Sequence, residues 1–217
     1  MTRREAETEH WMPAGIIAVL RADDEIDYRP VVDALVAGGV RTIELTLTSP
    51  NVCDEVPRIR EHLDGTGVAI GVGTVTCGEE ADRAIDAGAQ FVVTPACLPD
   101  VVARVVDRGV PIVPGAFTPT EAMSQWRAGA TAIKIFPAAT LGPSFVSHLH
   151  GPFPTMPIVP SGGLGTDDVR SWLDAGAIAV SLGGVLVGDA LRGGDLGALT
   201  ARARRAVSAM GPEGDRQ

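Results

Sequence analysis

Short apolar runs alternate with amphipathic stretches along most of the chain. Eight of these runs combine Val, Ile, Leu and Ala with nearby Gly or Pro, a pattern typical of buried β-strands. Their nearly continuous apolar character favours a parallel sheet covered by helices. The predicted strands span residues 15–21, 42–47, 69–75, 91–95, 111–116, 132–137, 157–163 and 179–184.

Helix signals occur in five of the stretches between these runs. Each predicted helix is followed by a glycine, which supplies the left-handed residue that closes a helix. Thr118 and Thr166 are predicted N-caps, and Glu121, three residues after Thr118, predicts a capping box. The predicted helices span residues 31–37, 79–87, 99–108, 119–128 and 166–175.

Strand and helix follow each other without a break in composition, which predicts one (β/α)8 barrel, the TIM barrel fold. We expect a single domain over residues 1–217, with flexible ends at about 1–10 and 211–217 because both ends are polar. A doubly wound sheet is the alternative. Its dinucleotide loop is missing, because Gly71 and Gly73 are followed by Thr76 where a third glycine would stand.

Composition narrows the classes of partner. Hydrophobic residues make up 45% of the 217 residues and aromatic residues only 4%, which is enough for an aliphatic core. The net charge of −9, without a block of Lys or Arg, argues against nucleic acid and anionic membranes as partners. A small anionic substrate held by local groups remains compatible with this charge.

Cysteine and histidine usage suggests a cytoplasmic protein without a metal site. The three cysteines are far apart and have no CxxC spacing, which indicates reduced thiols. No secretory signal and no run long enough to span a membrane is evident. The four histidines lack metal-ligand spacing, so we predict no metal.

Lys134 lies in the apolar run 132–137, where a charged side chain is unexpected. Strand alternation places Lys134 and Phe136 on one face, so the amine is expected in a confined space beside an aromatic ring. Desolvation there favours the neutral amine, which can attack a carbonyl and form a Schiff base. The alternative is a lysine whose head group reaches solvent at the strand end.

Glu44 is a carboxylate inside a strand of Ile, Leu and Thr. The second and sixth strands lie opposite each other in an eight-stranded barrel, so Glu44 and Lys134 are expected to meet across its interior. Such a pair supplies a nucleophile and a proton shuttle. A purely structural buried ion pair is the alternative, although such pairs seldom improve stability over apolar packing.

Polar and glycine residues collect at the predicted carboxyl ends of the strands, where TIM barrels carry their active sites. Gly162 and Gly163 end the seventh strand, and Gly183 and Gly184 end the eighth. Free backbone N–H groups at these positions can bind an oxyanion. The alternative is that both glycine pairs only form tight turns.

At these residues the chain resembles the 2-keto-3-deoxy-6-phosphogluconate (KDPG) aldolases, including their galactonate-specific (KDPGal) relatives and the 4-hydroxy-2-oxoglutarate aldolases. The resemblance runs from about residue 15 to about residue 206. The matching phrases are Ile17-Ala18-Val19-Leu20-Arg21, Ile43-Glu44-Leu45-Thr46-Leu47, Gly71-Val72-Gly73-Thr74-Val75, Thr94-Pro95, Lys134-Ile135-Phe136-Pro137, Gly142-Pro143 and Ser161-Gly162-Gly163.

The resemblance implies a class I aldolase that releases pyruvate and an aldehyde, such as glyceraldehyde 3-phosphate, without a cofactor. It implies Lys134 as the Schiff-base lysine and Glu44 as the acid and base. It also implies a homotrimer. The substrate-binding residues implied by the resemblance are Arg21, Thr48, Thr74, Pro95, Phe136, Ser161, Gly162, Gly163, Gly183 and Gly184.

Two positions depart from the family pattern. Thr48 begins Thr48-Ser49-Pro50, where many gluconate-type members have an arginine nearby, and Val185 replaces a serine after the last glycine pair. An unphosphorylated keto acid such as 4-hydroxy-2-oxoglutarate is therefore an alternative substrate. A phosphosugar isomerase or epimerase and a non-catalytic binding barrel are the remaining alternatives.

Overall fold

The computed structural model describes residues 13–211, and the eight predicted strands are present in this range. The fifth is divided into two segments. Every strand segment is shorter than its predicted run, because the remaining residues lie in turns, in irregular backbone or, for Gly184, in the following helix. The segments are β1 (Gly15–Leu20), β2 (Thr42–Thr46), β3 (Ala69–Gly73), β4 (Val92–Val93), β5 (Ile112–Val113), β6 (Gly115–Ala116), β7 (Ile133–Ile135), β8 (Ile158–Pro160) and β9 (Ala179–Leu182).

The strands form two parallel sheets. One has six strands in the order β5-β4-β3-β2-β1-β9, and the other has three in the order β6-β7-β8. Two contacts join β8 to β9: a backbone hydrogen bond of 3.0 Å from Ile178 N to Ile158 O, and a parallel bridge between Ser161 and Ser181. The prediction of a parallel α/β fold is confirmed.

Pro114 divides the predicted fifth strand. Proline has no backbone N–H, so it cannot continue a hydrogen-bonded ladder on that side. Its carbonyl oxygen still accepts a 2.9 Å hydrogen bond from Lys134 N, which ties this break in the sheet to β7.

Helices connect the strands, and the five predicted helices are present with bounds that differ by one to three residues. Four helices within residues 13–211 were not predicted: α2, α6, α8 and α9. The helices are α1 (Arg29–Ala37), α2 (Val52–His62), α3 (Gly78–Asp86), α4 (Pro99–Asp107), α5 (Pro119–Arg127), α6 (Ser144–His150), α7 (Val169–Asp174), α8 (Gly184–Val187) and α9 (Leu196–Ser208).

One of the two predicted caps is confirmed. Thr118 Oγ1 accepts from Glu121 N at 3.3 Å, and Glu121 Oε2 accepts from Thr118 N at 2.8 Å, which completes the capping box. The prediction for Thr166 is wrong. A 3-10 turn over Thr166–Asp168 precedes α7, and the cap position is Gly165, whose N–H donates to Asp168 Oδ2 at 2.7 Å.

Buried apolar residues form two clusters on opposite faces of the strands. The larger cluster contains alternate strand residues and the inner faces of the helices. The smaller one contains Ile17, Ala69, Phe91, Val93, Val113, Ala132, Val159 and Ala179. Because strand side chains alternate, residues two positions further along point to the same side as the smaller cluster. Val19, Lys134, Ser161 and Ser181 are such residues.

The predicted flexible ends at 1–10 and 211–217 lie outside the described residues, apart from Gly211. Between residues 13 and 211, no helix has both the length and the apolar character that crossing a bilayer requires.

Candidate active site

A cavity of about 500 Å³ opens at the carboxyl ends of the strands. It contains the predicted nucleophile, the predicted acid and base, and most of the predicted substrate-binding residues. A second hollow of about 580 Å³, lined by residues between 25 and 58, contains none of them. The predicted residues that line the first cavity are Arg21, Glu44, Thr74, Pro95, Lys134, Phe136, Ser161, Gly162, Gly163, Gly183 and Gly184.

Thr48 is the one predicted residue that does not line this cavity. Its side chain is exposed, and its Oγ1 lies 3.1 Å from Thr46 Oγ1. The chain turns directly after β2, where Ser49 N donates to Thr46 O at 2.9 Å, and this turn takes Thr48 away from the cavity wall. The resemblance alone could not reveal this change of direction.

Lys134 is the central residue of β7 and is 7% exposed. Its Nζ lies 5.2 Å from the centre of the Phe136 ring, within the range of a cation–π contact. Phe136 is 38% exposed, so its ring forms part of the open wall of the cavity. The amine is thus held on a strand, with an aromatic ring beside it and the cavity in front.

Lys134 is also the only lysine in the whole sequence. The other seventeen basic residues are arginines, which cannot act as amine nucleophiles at neutral pH. Chemistry that needs a lysine amine can therefore occur at one side chain of this chain. The presence of a single lysine is thus a simpler signal for this site than the apolar surroundings of Lys134.

Glu44 lies on β2 and is 2% exposed. Burial raises the pKa of its carboxyl group, and the positive charges of Lys134 and Arg21 oppose this rise without cancelling it. A carboxyl group with a raised pKa can hold a proton at a higher pH than an ordinary glutamate. It is thus suited to accept and return a proton within one reaction cycle.

Arg21 and Thr74 form a polar edge of the cavity near Glu44. Arg21 Nη2 donates to Thr74 Oγ1 at 3.4 Å. Thr74 has a φ of 60°, a left-handed conformation that is rare for a β-branched residue. Such backbone strain is concentrated at binding sites and active sites. An exposed guanidinium beside a hydroxyl can bind a carboxylate.

Glycine is required at the end of β8 because Phe136 packs against it. Gly162 has a φ of 91°, and a Cβ atom there would lie 2.8 Å from a Phe136 ring carbon. Gly163 follows with a φ of 78°. Gly183 and Gly184 lie at the end of β9, so both glycine pairs expose backbone at the same rim of the cavity.

Comparison with known proteins identifies the family. A model described as KDPG and KHG aldolase matches residues 8–201. The chain belongs to this aldolase family. Its members are class I aldolases, which are carbon–carbon lyases.

The aldolase is similar to characterised relatives over most of its length. It is 35% identical over 161 residues to a 2-dehydro-3-deoxy-phosphogluconate aldolase of Pseudomonas aeruginosa, covering 74% of this chain and 72% of the relative. A solved structure described as native KDPGal is 31% identical with a TM-score of 0.84, covering 92% of this chain and 96% of that one.

A third similar chain belongs to a designed, highly porous protein cage made by fusing symmetric oligomeric domains. It is 30% identical to the aldolase with a TM-score of 0.83, covering 91% of this chain and 72% of that one.

Several cavity residues of the aldolase were missed by sequence reasoning. Ser181 was detectable, because it alternates with Ala179 on β9 and precedes the glycine pair. Asp23 and Arg192 lie outside the strands, where no periodicity indicates direction. Their side chains form a loose ion pair of 3.9 Å at the cavity rim. The missed lining residues are Val19, Ala22, Asp23, Leu164, Ser181, Val187, Gly188, Leu191 and Arg192.

Within residues 13–211, no group of three or more His, Cys, Asp or Glu side chains is arranged to hold a metal ion. The expectation that the aldolase works without a metal or organic cofactor stays a prediction.

Proposed function

We propose that this aldolase reversibly cleaves a 2-keto-3-deoxy sugar acid, of the gluconate or galactonate 6-phosphate type, to pyruvate and glyceraldehyde 3-phosphate. The proposal rests on one observation: the only lysine of the chain is buried in a cavity that also contains a buried carboxyl group. The gluconate- and galactonate-type names of similar proteins support this substrate class.

Lys134 would attack the C2 carbonyl of the keto acid through its neutral amine and, after loss of water, form a protonated imine. Glu44 would accept the proton of the C4 hydroxyl while the C3–C4 bond breaks. The bonding electrons pass into the imine and give an enamine, and the aldehyde leaves. Glu44 then returns the proton to C3, and hydrolysis of the imine releases pyruvate and the free amine.

The raised pKa of Glu44 suits both proton transfers. The carboxylate must take a proton from a hydroxyl and then deliver one to carbon. Burial keeps bulk water from competing for that proton, and the positive charge of the imine replaces that of the lysine near the carboxylate.

The two ends of the substrate would bind at different parts of the rim. Arg21 and Thr74 would bind the carboxylate, with Pro95 and Phe136 forming the apolar wall of the pyruvate pocket. The distal phosphate would lie near Ser161 and the glycine pairs Gly162-Gly163 and Gly183-Gly184. The guanidinium of Arg192 at this rim would supply a charge-assisted contact.

Cleavage of 4-hydroxy-2-oxoglutarate is the second candidate. Val185 favours it, because this residue is 57% exposed at the cavity and carries no hydroxyl to bind a phosphate. A panel of phosphorylated and unphosphorylated keto acids, with pyruvate release as the readout, separates the two candidates.

We further infer that the strands close into an eight-stranded barrel in one domain and that the aldolase forms a homotrimer. The backbone contacts from β8 to β9 and the chain continuity through Pro114 support closure. The similarity to a chain of a cage built from symmetric oligomers supports assembly. Light scattering after gel filtration measures the number of subunits. The cytoplasmic location stays a prediction.

Borohydride trapping tests the Schiff base. Pyruvate with borohydride is expected to add one stable adduct, which mass spectrometry of peptides locates at Lys134. Lys134→Ala keeps the N-terminal amine and is the matched control for reaction at that group. Lack of an adduct at Lys134 in active wild-type protein would overturn the proposal.

A further inference from the structure

We propose that Ser181 is a specificity-determining residue that donates a hydrogen bond to a hydroxyl group on the aldehyde half of the substrate, the part beyond the cleaved bond. This inference rests on the proposed function and narrows its substrate class to aldehydes that carry a hydroxyl group. Ser181 was absent from the predicted site, and its position in the structure supports the assignment.

The Ser181 side chain is buried and polar, yet it lacks an internal partner. The residue is 4% exposed, and its Oγ has no hydrogen-bond partner among the described residues. A buried hydroxyl without a protein partner is uncommon in folded proteins. Such a group calls for an explanation, and the cavity beside it supplies one.

The direction of the side chain follows from β9. Ala179 belongs to the smaller apolar cluster, and Ser181, two residues further on, points to the same side one step closer to the strand ends. Its backbone is fixed on both sides, by the bridge to Ser161 and by the register with Ile17 on β1. The Ser181 side chain therefore points to the cavity side of β9 from a rigid backbone position.

The order of the strands indicates which part of the substrate would reach Ser181. Lys134 lies on β7, Ser161 follows at the end of β8, and Ser181 lies on the next strand, β9. Arg21 follows β1, which pairs with β9, and its guanidinium reaches across β2 to Thr74 after β3, so the carboxylate would lie over β1 to β3. A substrate bonded to Lys134, with its carboxylate at Arg21 and Thr74, would extend its remaining carbons toward Ser161 and Ser181.

A neutral hydroxyl of the substrate fits Ser181 better than an anion does. The phosphate has charged and backbone donors at the rim, whereas Ser181 lies two residues deeper on its strand than Gly183. A hydrogen bond between the Ser181 hydroxyl and a substrate hydroxyl gives both groups a partner without burying a further charge. Ser161 lies beside Ser181 and would bind an adjacent oxygen.

The experiment measures aldol addition of pyruvate to two acceptors of similar size, glyceraldehyde and butyraldehyde. Ser181→Ala is expected to lower kcat/KM about tenfold with glyceraldehyde, which carries hydroxyls, and to leave butyraldehyde within about twofold. Ser181→Thr keeps a hydroxyl and is expected to recover part of the loss. Trapping of pyruvate at Lys134 should be unchanged in Ser181→Ala.

Stability provides a readout that separates binding from a structural role. Ser181→Ala removes a hydroxyl without a partner and is expected to leave the melting temperature of the ligand-free protein unchanged or raise it. Thr42→Val, at a buried hydroxyl outside the cavity, is the control for loss of a hydroxyl from a strand.

The assignment would be overturned if Ser181→Ala lowered kcat/KM equally with both acceptors. It would also be overturned if Ser181→Ala lowered the melting temperature and its losses of kcat/KM matched that loss of stability. Its failure is distinct from failure of the proposed function. The assignment alone is wrong if wild-type protein traps pyruvate at Lys134 but Ser181→Ala does not discriminate between the acceptors. Absence of trapping in wild-type protein overturns both.

Discussion

The Glu44 carboxyl group lies over the backbone of Gly73 on the neighbouring strand, in the space that a side chain at position 73 would occupy. The carboxyl group can therefore take this position only if residue 73 is glycine. Gly73→Ala is expected to displace the carboxyl group and lower kcat by about 10- to 100-fold, because small misplacements of reacting groups are costly. Steady-state kinetics measures this loss.

The matched control is Gly71→Ala on the same strand. Gly71 is paired with Glu44 in the sheet, but a Cβ atom there would overlap the Phe91 ring in the smaller apolar cluster and not the Glu44 carboxyl group. Overpacking is expected to lower the free energy of unfolding by about 1–3 kcal/mol in either variant. Only Gly73→Ala should lose activity beyond its loss of stability. Equal loss of kcat in two equally folded variants would contradict the role of Gly73.

The raised pKa of Glu44 predicts a pH-dependent difference in stability between wild-type protein and Glu44→Gln. Below the ordinary pKa of 4.5 the carboxyl group is protonated in both folded and unfolded chains. As the pH rises, the unfolded chain ionises first, so wild-type protein loses stability until the pH passes the folded pKa. Glutamine does not ionise and avoids this loss.

Urea unfolding between pH 4 and pH 8 measures this difference. Glu44→Gln should gain stability relative to wild-type protein as the pH rises from about 4.5, and the gain should level off above the folded pKa. Subtracting the two curves removes the titration of the other carboxyl groups. A difference that does not change with pH would show that burial does not control this group.

Arg192 is expected to favour phosphorylated substrates. It lines the cavity rim, and among residues 13–211 its guanidinium has one ion-pair contact, of 3.9 Å with Asp23, between two largely exposed side chains. Arg192→Ala should raise KM for a 6-phosphorylated keto acid about tenfold and leave an unphosphorylated one within about twofold. Asp23→Asn removes the competing carboxylate and should lower KM for the phosphorylated compound.

Opposite effects of Arg192→Ala and Asp23→Asn on the phosphorylated substrate are the required result. If both variants change both substrates equally, Arg192 contributes to the shape of the rim and does not bind the phosphate.

Val185 gives a gain-of-function prediction. It is 57% exposed at the cavity, so a polar replacement creates no buried unpaired group. Val185→Ser should lower KM for a phosphorylated keto acid about 3- to 10-fold through one added hydrogen bond to a charged group. Val185→Ala removes the same bulk without adding a hydroxyl and is the control. If serine and alanine give the same KM, the added hydroxyl does not reach the phosphate.

Much of the fold could be predicted because apolar runs indicate buried strands and the glycines that follow amphipathic stretches indicate helix ends. The missed helices show the limits of this signal. Val52–His62 contains Pro57 and many charges, so its pattern resembles a loop, although its proline lies in an otherwise regular helix. Asp195 caps the helix Leu196–Ser208 by accepting from Gly197 N, and an aspartate at this position is a helix-start signal present in the sequence.

The candidate site was predictable where strand alternation fixes a side chain. Glu44 and Lys134 follow this rule. Ser181 follows it too, because alternation along β9 places its side chain on the cavity side, but it was overlooked. Asp23 and Arg192 follow a different rule, because their positions depend on the paths of connecting segments. The position of Thr48 outside the cavity lining has the same cause, since the turn after β2 determines where its side chain points.

The aldolase carries seventeen arginines and one lysine, and that lysine is buried beside the ring of Phe136. Reagents that modify surface amines therefore have no exposed lysine to react with. Coupling the protein to an amine-reactive support would attach each subunit through its terminal amino group and leave the cavity unmodified. Conversely, a small keto acid carrying a fluorescent label would mark one lysine per subunit once reduced. Subtracting the label taken up by Lys134→Ala, which keeps the terminal amine, turns active-site occupancy into a direct optical count.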